Sequence, residues 1–252
     1  MSVVQIKEIL NNLVNYFDDL MFPEFKCFAC GREAKDLDYH LCDNCKESLP
    51  FIKGVVCFKC GYPVIDGNDY CDYCRSRNYD FDEARAVFEY DATTRGTILG
   101  IKYSNQKYLA KFFARLMLDV LNEWNVKPDI LVPVPITDSR RKERGYNQAE
   151  LIANELANLT GLPVITKIVS RKNDSKIQKG LSMKDRFENM KGAFEVDRRY
   201  ILKFKKVLII DDVFTTGATV SELSRTIRKT GPDRVYVLTV GKTLNKREEI
   251  YY

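Results

Sequence analysis

Every cysteine of the chain falls in one of four Cys-x-x-Cys pairs: Cys27 with Cys30, Cys42 with Cys45, Cys57 with Cys60, and Cys71 with Cys74. A pair of this spacing fits on one tight turn and presents two thiolates to one ion, and two such turns complete a tetrahedral four-sulfur site. Eight ligands therefore make two structural zinc sites. Sequential pairing assigns Cys27, Cys30, Cys42 and Cys45 to one ion and Cys57, Cys60, Cys71 and Cys74 to the other. The intervals of 11, 11 and 10 residues between pairs equally allow an interleaved arrangement. A thioredoxin-like redox motif occurs once, beside a strand-helix unit, and not four times in a polar stretch. Thiolates fill both shells, which excludes a catalytic zinc with an open position. His40, two residues before Cys42, is either a replacement ligand or an exposed loop histidine. Ribbons this small bury too little to fold alone, so their folding is expected to require the metal.

The pairs also form a repeat. Cys27-Phe-Ala-Cys30-Gly31 recurs as Cys57-Phe-Lys-Cys60-Gly61, and Cys42-Asp-Asn-Cys45 as Cys71-Asp-Tyr-Cys74, at offsets of 30 and 29 residues. One small unit is used twice. Upstream, Val3, Ile6, Leu10, Leu13, Phe17 and Leu20 stand at helical spacing and predict an amphipathic helix ending near Pro23. Its mixed polar face suits packing on protein better than lying on a membrane. No apolar run approaches the ~18 residues of a membrane span, and no basic leader with a cleavage site is seen. A cytoplasmic location is expected, and in that compartment cysteines stay reduced.

After Asp80 the pattern changes, and the chain is expected to divide into an N-terminal helix with double zinc ribbon, 1–80, and a larger domain, 81–252. Residues 1–80 carry 9 basic and 13 acidic side chains, leaving 31 against 22 for residues 81–252, so the basic surface belongs to the second part. Such a bias suits a pyrophosphate or a nucleic-acid backbone. Strands are predicted at 84–90, 130–134, 164–169, 207–210 and 234–240, and helices at 108–123, 146–159 and 219–229. A polar stretch without clear periodicity covers 171–190. Alternating strands and helices make an α/β fold, with a mostly parallel sheet covered by helices on both faces.

The strand at 207–210 runs into Asp211 and Asp212, then Thr215-Thr216-Gly217-Ala218, then a helix from Thr219. A helix N-terminus offers unpaired N–H groups and a positive dipole end, so a phosphate dianion fits there, with threonine hydroxyls as further donors. Gly217 permits close backbone approach. The adjacent carboxylates are placed to accept hydrogen bonds from vicinal ribose hydroxyls or to hold a hydrated Mg2+. An ordinary strand-turn-helix junction is the plain alternative. Neither G-x-x-x-x-G-K-[ST] nor G-x-G-x-x-G occurs in the chain.

At these residues the sequence resembles the type I phosphoribosyltransferases, whose motif for phosphoribosyl pyrophosphate (PRPP) is a hydrophobic strand, two acids and a Thr-Gly phosphate loop. The resemblance is closest to the ComF family of competence-associated phosphoribosyltransferase-like proteins. It extends over Ile101-Lys102-Tyr103, Val132-Pro133-Val134-Pro135, Arg144-Gly145-Tyr146-Asn147-Gln148-Ala149-Glu150, Gln178 with Leu181 and Arg186, and Asn189 before Gly192-Ala193-Phe194. It implies a type I phosphoribosyltransferase-like fold in which Asp211 and Asp212 hold ribose and Mg2+, and Thr215, Thr216, Gly217, Ala218 and Thr219 hold the 5-phosphate. Arg141 and Arg144 become candidates for neutralising the pyrophosphate, with a bidentate geometry lysine lacks; a solvated basic loop is the alternative. The stretch 171–186, with Lys172, Lys176, Lys179 and Lys184, would close over PRPP as a lid or track a nucleic-acid strand. Thr215 stands where purine-salvage relatives carry an acid that meets the incoming base, which argues against purine salvage.

Two classes of function follow. One is a phosphoribosyltransferase with an unidentified acceptor, serving DNA uptake in natural transformation as the resemblance implies. The other is a non-catalytic module that senses PRPP or bridges single-stranded DNA and a competence helicase-like partner. A weaker third reading makes the ribbons the nucleic-acid reader through Phe28, Phe58, Tyr62, Tyr70 and Tyr73, against which their acidic balance argues. Oligomerisation is compatible with each.

Overall fold

A computed structural model describes residues 26–34, 36, 39–65, 67–103, 107–172, 183–203 and 205–244. The predicted helix at 3–22, and Gln178 and Leu181 with most of the lysine-rich stretch, lie outside them. Two compact units result, Met1–Leu49 and Pro50–Tyr252.

Among its described residues the first unit holds one short helix, α1 (Asp43–Ser48), directly after Cys42. The second begins with the second ribbon, whose helix α2 (Asp72–Ser76) follows Cys71 in the same way. There follow β1 (Glu83–Glu89), α3 (Ala92–Tyr103), α4 (Leu109–Trp124), β2 (Ile130–Pro133), α5 (Asp138–Arg144) and α6 (Gln148–Thr160). The chain continues through β3 (Val169–Arg171), α7 (Met183–Met190), β4 (Phe194–Val196), β5 (Lys206–Phe214), α8 (Ala218–Ile227), a 3-10 turn (Arg228–Thr230) and β6 (Arg234–Lys242).

The main sheet has the order β1-β6-β5-β2, and every pairing in it is parallel. Val132 lies opposite Ile209, and Ile209 opposite Val237. The central strands are apolar on both faces: Val207, Leu208, Ile209, Ile210, Val237 and Leu238 are all fully buried, as parallel strands covered twice must be. Parallel pairing puts all four carboxyl ends, and the loops leaving them, on one rim, where open α/β sheets bind ligands.

Two expectations are corrected. The segment 164–169 is not a strand of the main sheet. Val164 makes only an isolated parallel bridge to Leu131, and Leu131 spends its N–H on Pro163 O and its carbonyl on Ile165 N. Thr166 and Lys167 then leave the sheet, and Val169–Arg171 pairs antiparallel with Phe194–Val196 in a separate two-stranded sheet. The segment 171–190 is not wholly irregular, since Met183–Met190 forms a helix. The structure adds elements that the sequence pattern does not announce: the short α1, α2, α5 and β4, and the longer α3, begun by Asp91, whose Oδ1 accepts the N–H groups of Thr93 and Thr94 at 2.8 and 3.0 Å.

Candidate functional site

The sulfur atoms fall into two groups, Cys27/Cys30/Cys42/Cys45 and Cys57/Cys60/Cys71/Cys74, each with all its ligand atoms within 4.8 Å of one another. Pairing is therefore sequential. Cys30 and Cys42 sulfurs stand 3.7 Å apart and those of Cys60 and Cys71 3.6 Å apart. A tetrahedron with Zn–S near ~2.3 Å has edges of about 3.8 Å, so the donor sets fit zinc. The repeat extends to its backbone bonds. Gly31 N–H donates to Cys27 O and Gly61 N–H to Cys57 O, at 2.8 and 2.9 Å, while Lys46 and Arg75 N–H close the turns on Cys42 and Cys71. Four cysteines fill each cluster, and His40 belongs to neither. Burial raises the Cys30 thiol pKa, but hydrogen bonds from Arg32 and from the neighbouring cysteines outweigh it and take it to about 6, while burial and the same neighbouring sulfurs push Cys45 up.

The second cluster is built into the sheet. Cys57, Cys60 and Cys71 share one buried core with Val207, Ile209 and Phe214. Ala84 N–H donates to Lys59 O at 2.8 Å, and Lys59 Nζ returns to Phe81 O. From this junction Tyr79 reaches the Thr215–Thr219 loop: it stacks on Phe81 at 4.9 Å, meets Phe214 edge-on at 6.2 Å, and donates its hydroxyl to Thr216 O at 3.2 Å.

The strand carrying the two acids is longer than predicted. β5 continues through Asp211 and Asp212 to Phe214, because β6 extends beside it and pairs Asp211 with Thr239 and Phe214 with Lys242. Asp212 is 5% exposed. Its Oδ2 accepts from Gln148 Nε2 at 3.2 Å, and Gln148 Oε1 accepts from Arg144 Nη1 at 3.3 Å. The basic segment is thus wired to the acid through a residue to which the sequence alone assigns no role. Its neighbours hold it there: Asn147 caps α6 on Ala149 N–H and donates to Val134 O at 2.9 Å, and the Tyr146 hydroxyl donates to Ile101 O at 2.6 Å. The alternation in Arg144-Gly145-Tyr146-Asn147-Gln148 therefore divides into residues that anchor and residues that reach the rim.

Arg141 and Arg144 sit on the last turn of α5, a short helix capped by Thr137 and closed by Gly145. This helix leaves β2, which pairs directly with β5, so the segment shares the rim with the Thr215–Thr219 loop. Arg144 joins Asp212 as described, whereas Arg141 is engaged with Glu150 Oε2 at 2.6 Å. In the loop itself Thr215 is exposed, Thr216 and Thr219 are half-buried, and Gly217 and Ala218 are buried. Gly217 has φ +79° and caps α8 without a side chain of its own, while the first helical N–H, of Ala218, donates to Thr216 Oγ1 at 3.4 Å.

Beside Thr215 and Thr216 lies a slot lined by Tyr62, Tyr73, Tyr79, Phe214 and Lys242. Lys242 is 3% exposed, with Nζ 3.6 Å from the centroid of the Phe214 ring. Burial lowers its pKa, and the nearby cysteine sulfurs pull the other way. Among the described residues no helix is long and apolar enough to cross a membrane.

This arrangement, a double zinc ribbon leading into a parallel sheet with two acids and a Thr-Gly loop on its rim, defines a phosphoribosyl transferase domain with ribbon modules ahead of it. Residues 17–75 match the Double zinc ribbon domain family, and residues 102–252 match the Phosphoribosyl transferase domain family. Competence protein F of Haemophilus influenzae is 30% identical over 225 residues, covering 86% of this chain and 96% of that one. DNA utilization protein YhgH of Escherichia coli is 26% identical, covering 86% and 97%. Competence protein ComFC of Bacillus subtilis is 27% identical over 202 residues, covering 77% and 80%. The chain belongs to the ComF family, in which zinc ribbons accompany a phosphoribosyl transferase domain.

Proposed function

We propose that the rim of β5 binds PRPP with Mg2+ and that the protein serves DNA uptake, as the names of its relatives suggest. The observation that carries the first part is Asp212, a buried carboxylate near the end of an apolar strand, joined through Gln148 to Arg144 and followed through the Thr215–Gly217 turn by the N-terminus of α8. A buried carboxylate is costly unless it has partners, so its place beside an anion cradle suits a ligand bearing both hydroxyls and phosphate. Asp211 and Asp212 accept from the ribose hydroxyls, and their oxygens are the hard donors that suit Mg2+. Residues 215–219 hold the 5-phosphate. Arg144, with Arg141 behind it, faces the pyrophosphate. Magnesium would neutralise charge on the departing pyrophosphate. Eight reduced thiols suit a cytoplasmic setting.

The acceptor is unassigned. A second reading has PRPP bound without transfer. In that second reading the protein senses PRPP or bridges single-stranded DNA and a helicase-like partner. Calorimetric titration of PRPP with Mg2+ tests the site: Asp212→Asn is expected to weaken binding by about 10- to 100-fold, the loss of one charge-assisted hydrogen bond. Unchanged affinity in that variant would sink the assignment. Release of pyrophosphate dependent on an added acceptor, nucleobases and oligonucleotides included, separates transfer from sensing.

A further inference from the structure

At the other end of the sheet, where β5 and β6 begin, an open groove of about 650 Å3 is lined by Arg198, Tyr200, Ile201, Lys203, Lys229, Thr230 and Gly231. Three of these are cations and none is an acid. The segment is fixed in place: Leu202 is buried and its N–H donates to Thr230 O at 2.9 Å, and Tyr200 N–H donates to Asp197 O at 3.1 Å. With Leu202 turned into the core, its neighbours face outward, leaving Ile201 78% exposed and Lys203 exposed beside it. The arginines around the groove behave differently. Arg199, Arg225, Arg228 and Arg234 are neutralised by Asp197, Glu222 and Asp82. Arg198 and Lys229 of the groove lining take part in none of these ion pairs.

We propose that this groove binds single-stranded nucleic acid, with Arg198, Lys203 and Lys229 on successive phosphates and Tyr200 and Ile201 against the bases. Cations spaced along a groove beside a ring and an aliphatic side chain are what a flexible, base-exposing strand requires. A duplex hides its base faces and would leave Ile201 in water. β5 is nine residues long, so the groove lies roughly 25–30 Å from the phosphoribosyl rim. The proposal rests on the DNA-uptake reading only in its choice of DNA as the strand, and the two sites fail independently.

The test uses the full-length zinc-loaded protein and a fluorescent oligo-dT strand, followed by anisotropy across a range of salt. Arg198→Ala/Lys203→Ala/Lys229→Ala is expected to weaken binding at least about tenfold and to flatten the log–log salt slope by about 2, at ~0.7 per lost phosphate contact. PRPP binding should stay unchanged. Should the triple variant lose zinc or helical signal, Lys229→Glu alone is expected to weaken binding several-fold. No binding by the parent protein, or equal affinity and slope in the variants, overturns the proposal. So does binding of the parent protein to phosphatidylglycerol vesicles in preference to the oligonucleotide. Loss of PRPP binding alone in Asp212→Asn, with oligo-dT binding intact, would be the signature of two separate sites.

Discussion

Cys71→Ser is expected to destroy the proposed PRPP site together with its zinc site, whereas Cys42→Ser should leave residues 50–252 folded. The reason is where each cluster is built. Cys42 and its partners lie within the unit Met1–Leu49. Cys71 belongs to the core that includes Val207, Ile209 and Phe214, the strand under the two acids. A structural zinc supplies about 10–16 kcal/mol in isolated fingers, as much as a whole domain's stability of about 5–15 kcal/mol, so losing even part of it matters. The consequence travels through Tyr79, which packs on Phe81 and Phe214 and holds Thr216 O. Thermal melts, zinc content and PRPP titration of both variants check this. A Cys71→Ser protein that melts and binds PRPP like its parent would show that the ribbon is an appendage.

That integration is only partly legible in the sequence. Spacing identifies all eight ligands and the repeat, because a Cys-x-x-Cys turn is local. It cannot decide the pairing, which depends on how two distant turns meet, nor reveal that Gly61 packs against β1. A Cβ at Gly61 would stand 2.6 Å from Ala84 O, so the second ribbon touches the sheet backbone directly. The strand-acid-loop-helix unit is readable for the same local reason, although the apolar pattern alone ends β5 at Ile210. Two carboxylates look like the end of a strand, and only β6 alongside explains why pairing continues to Phe214. Helix α3 escapes a reading by periodicity because Thr93, Thr94, Gly96 and Thr97 are poor helix formers, and its Asp91 cap is the signal available. Gln148 stands in the Arg144–Glu150 motif of the family resemblance, but its residue type announces no role there. A neutral amide at the start of an amphipathic helix reads as surface, and its contact with Asp212 joins residues 64 positions apart.

Gly217→Ala is expected to lower the melting temperature by about 5–15 °C and to abolish PRPP binding. Two separate penalties meet at this position. With φ +79° the residue is in the left-handed region, where a side chain costs about 1–2 kcal/mol. An added Cβ would also stand 2.6 Å from Phe214 Cζ and 2.7 Å from Tyr79 Cε1, and overpacking of this kind costs about 1–3 kcal/mol. In a unit of this size each kcal/mol moves the melt by about 2–4 °C. Gly161 supplies the control. It has φ +73° at the end of α6, and a Cβ there would meet nothing within 4 Å, so Gly161→Ala carries the conformational cost alone. The difference between the two variants isolates the packing of Tyr79 and Phe214 against the loop. Because those two rings join the second ribbon to Thr216, relieving the clash by moving them displaces the phosphate cradle. Equal melting shifts in the two variants, with PRPP affinity preserved in Gly217→Ala, would mean that the rings yield freely and that the loop is shaped by its own backbone.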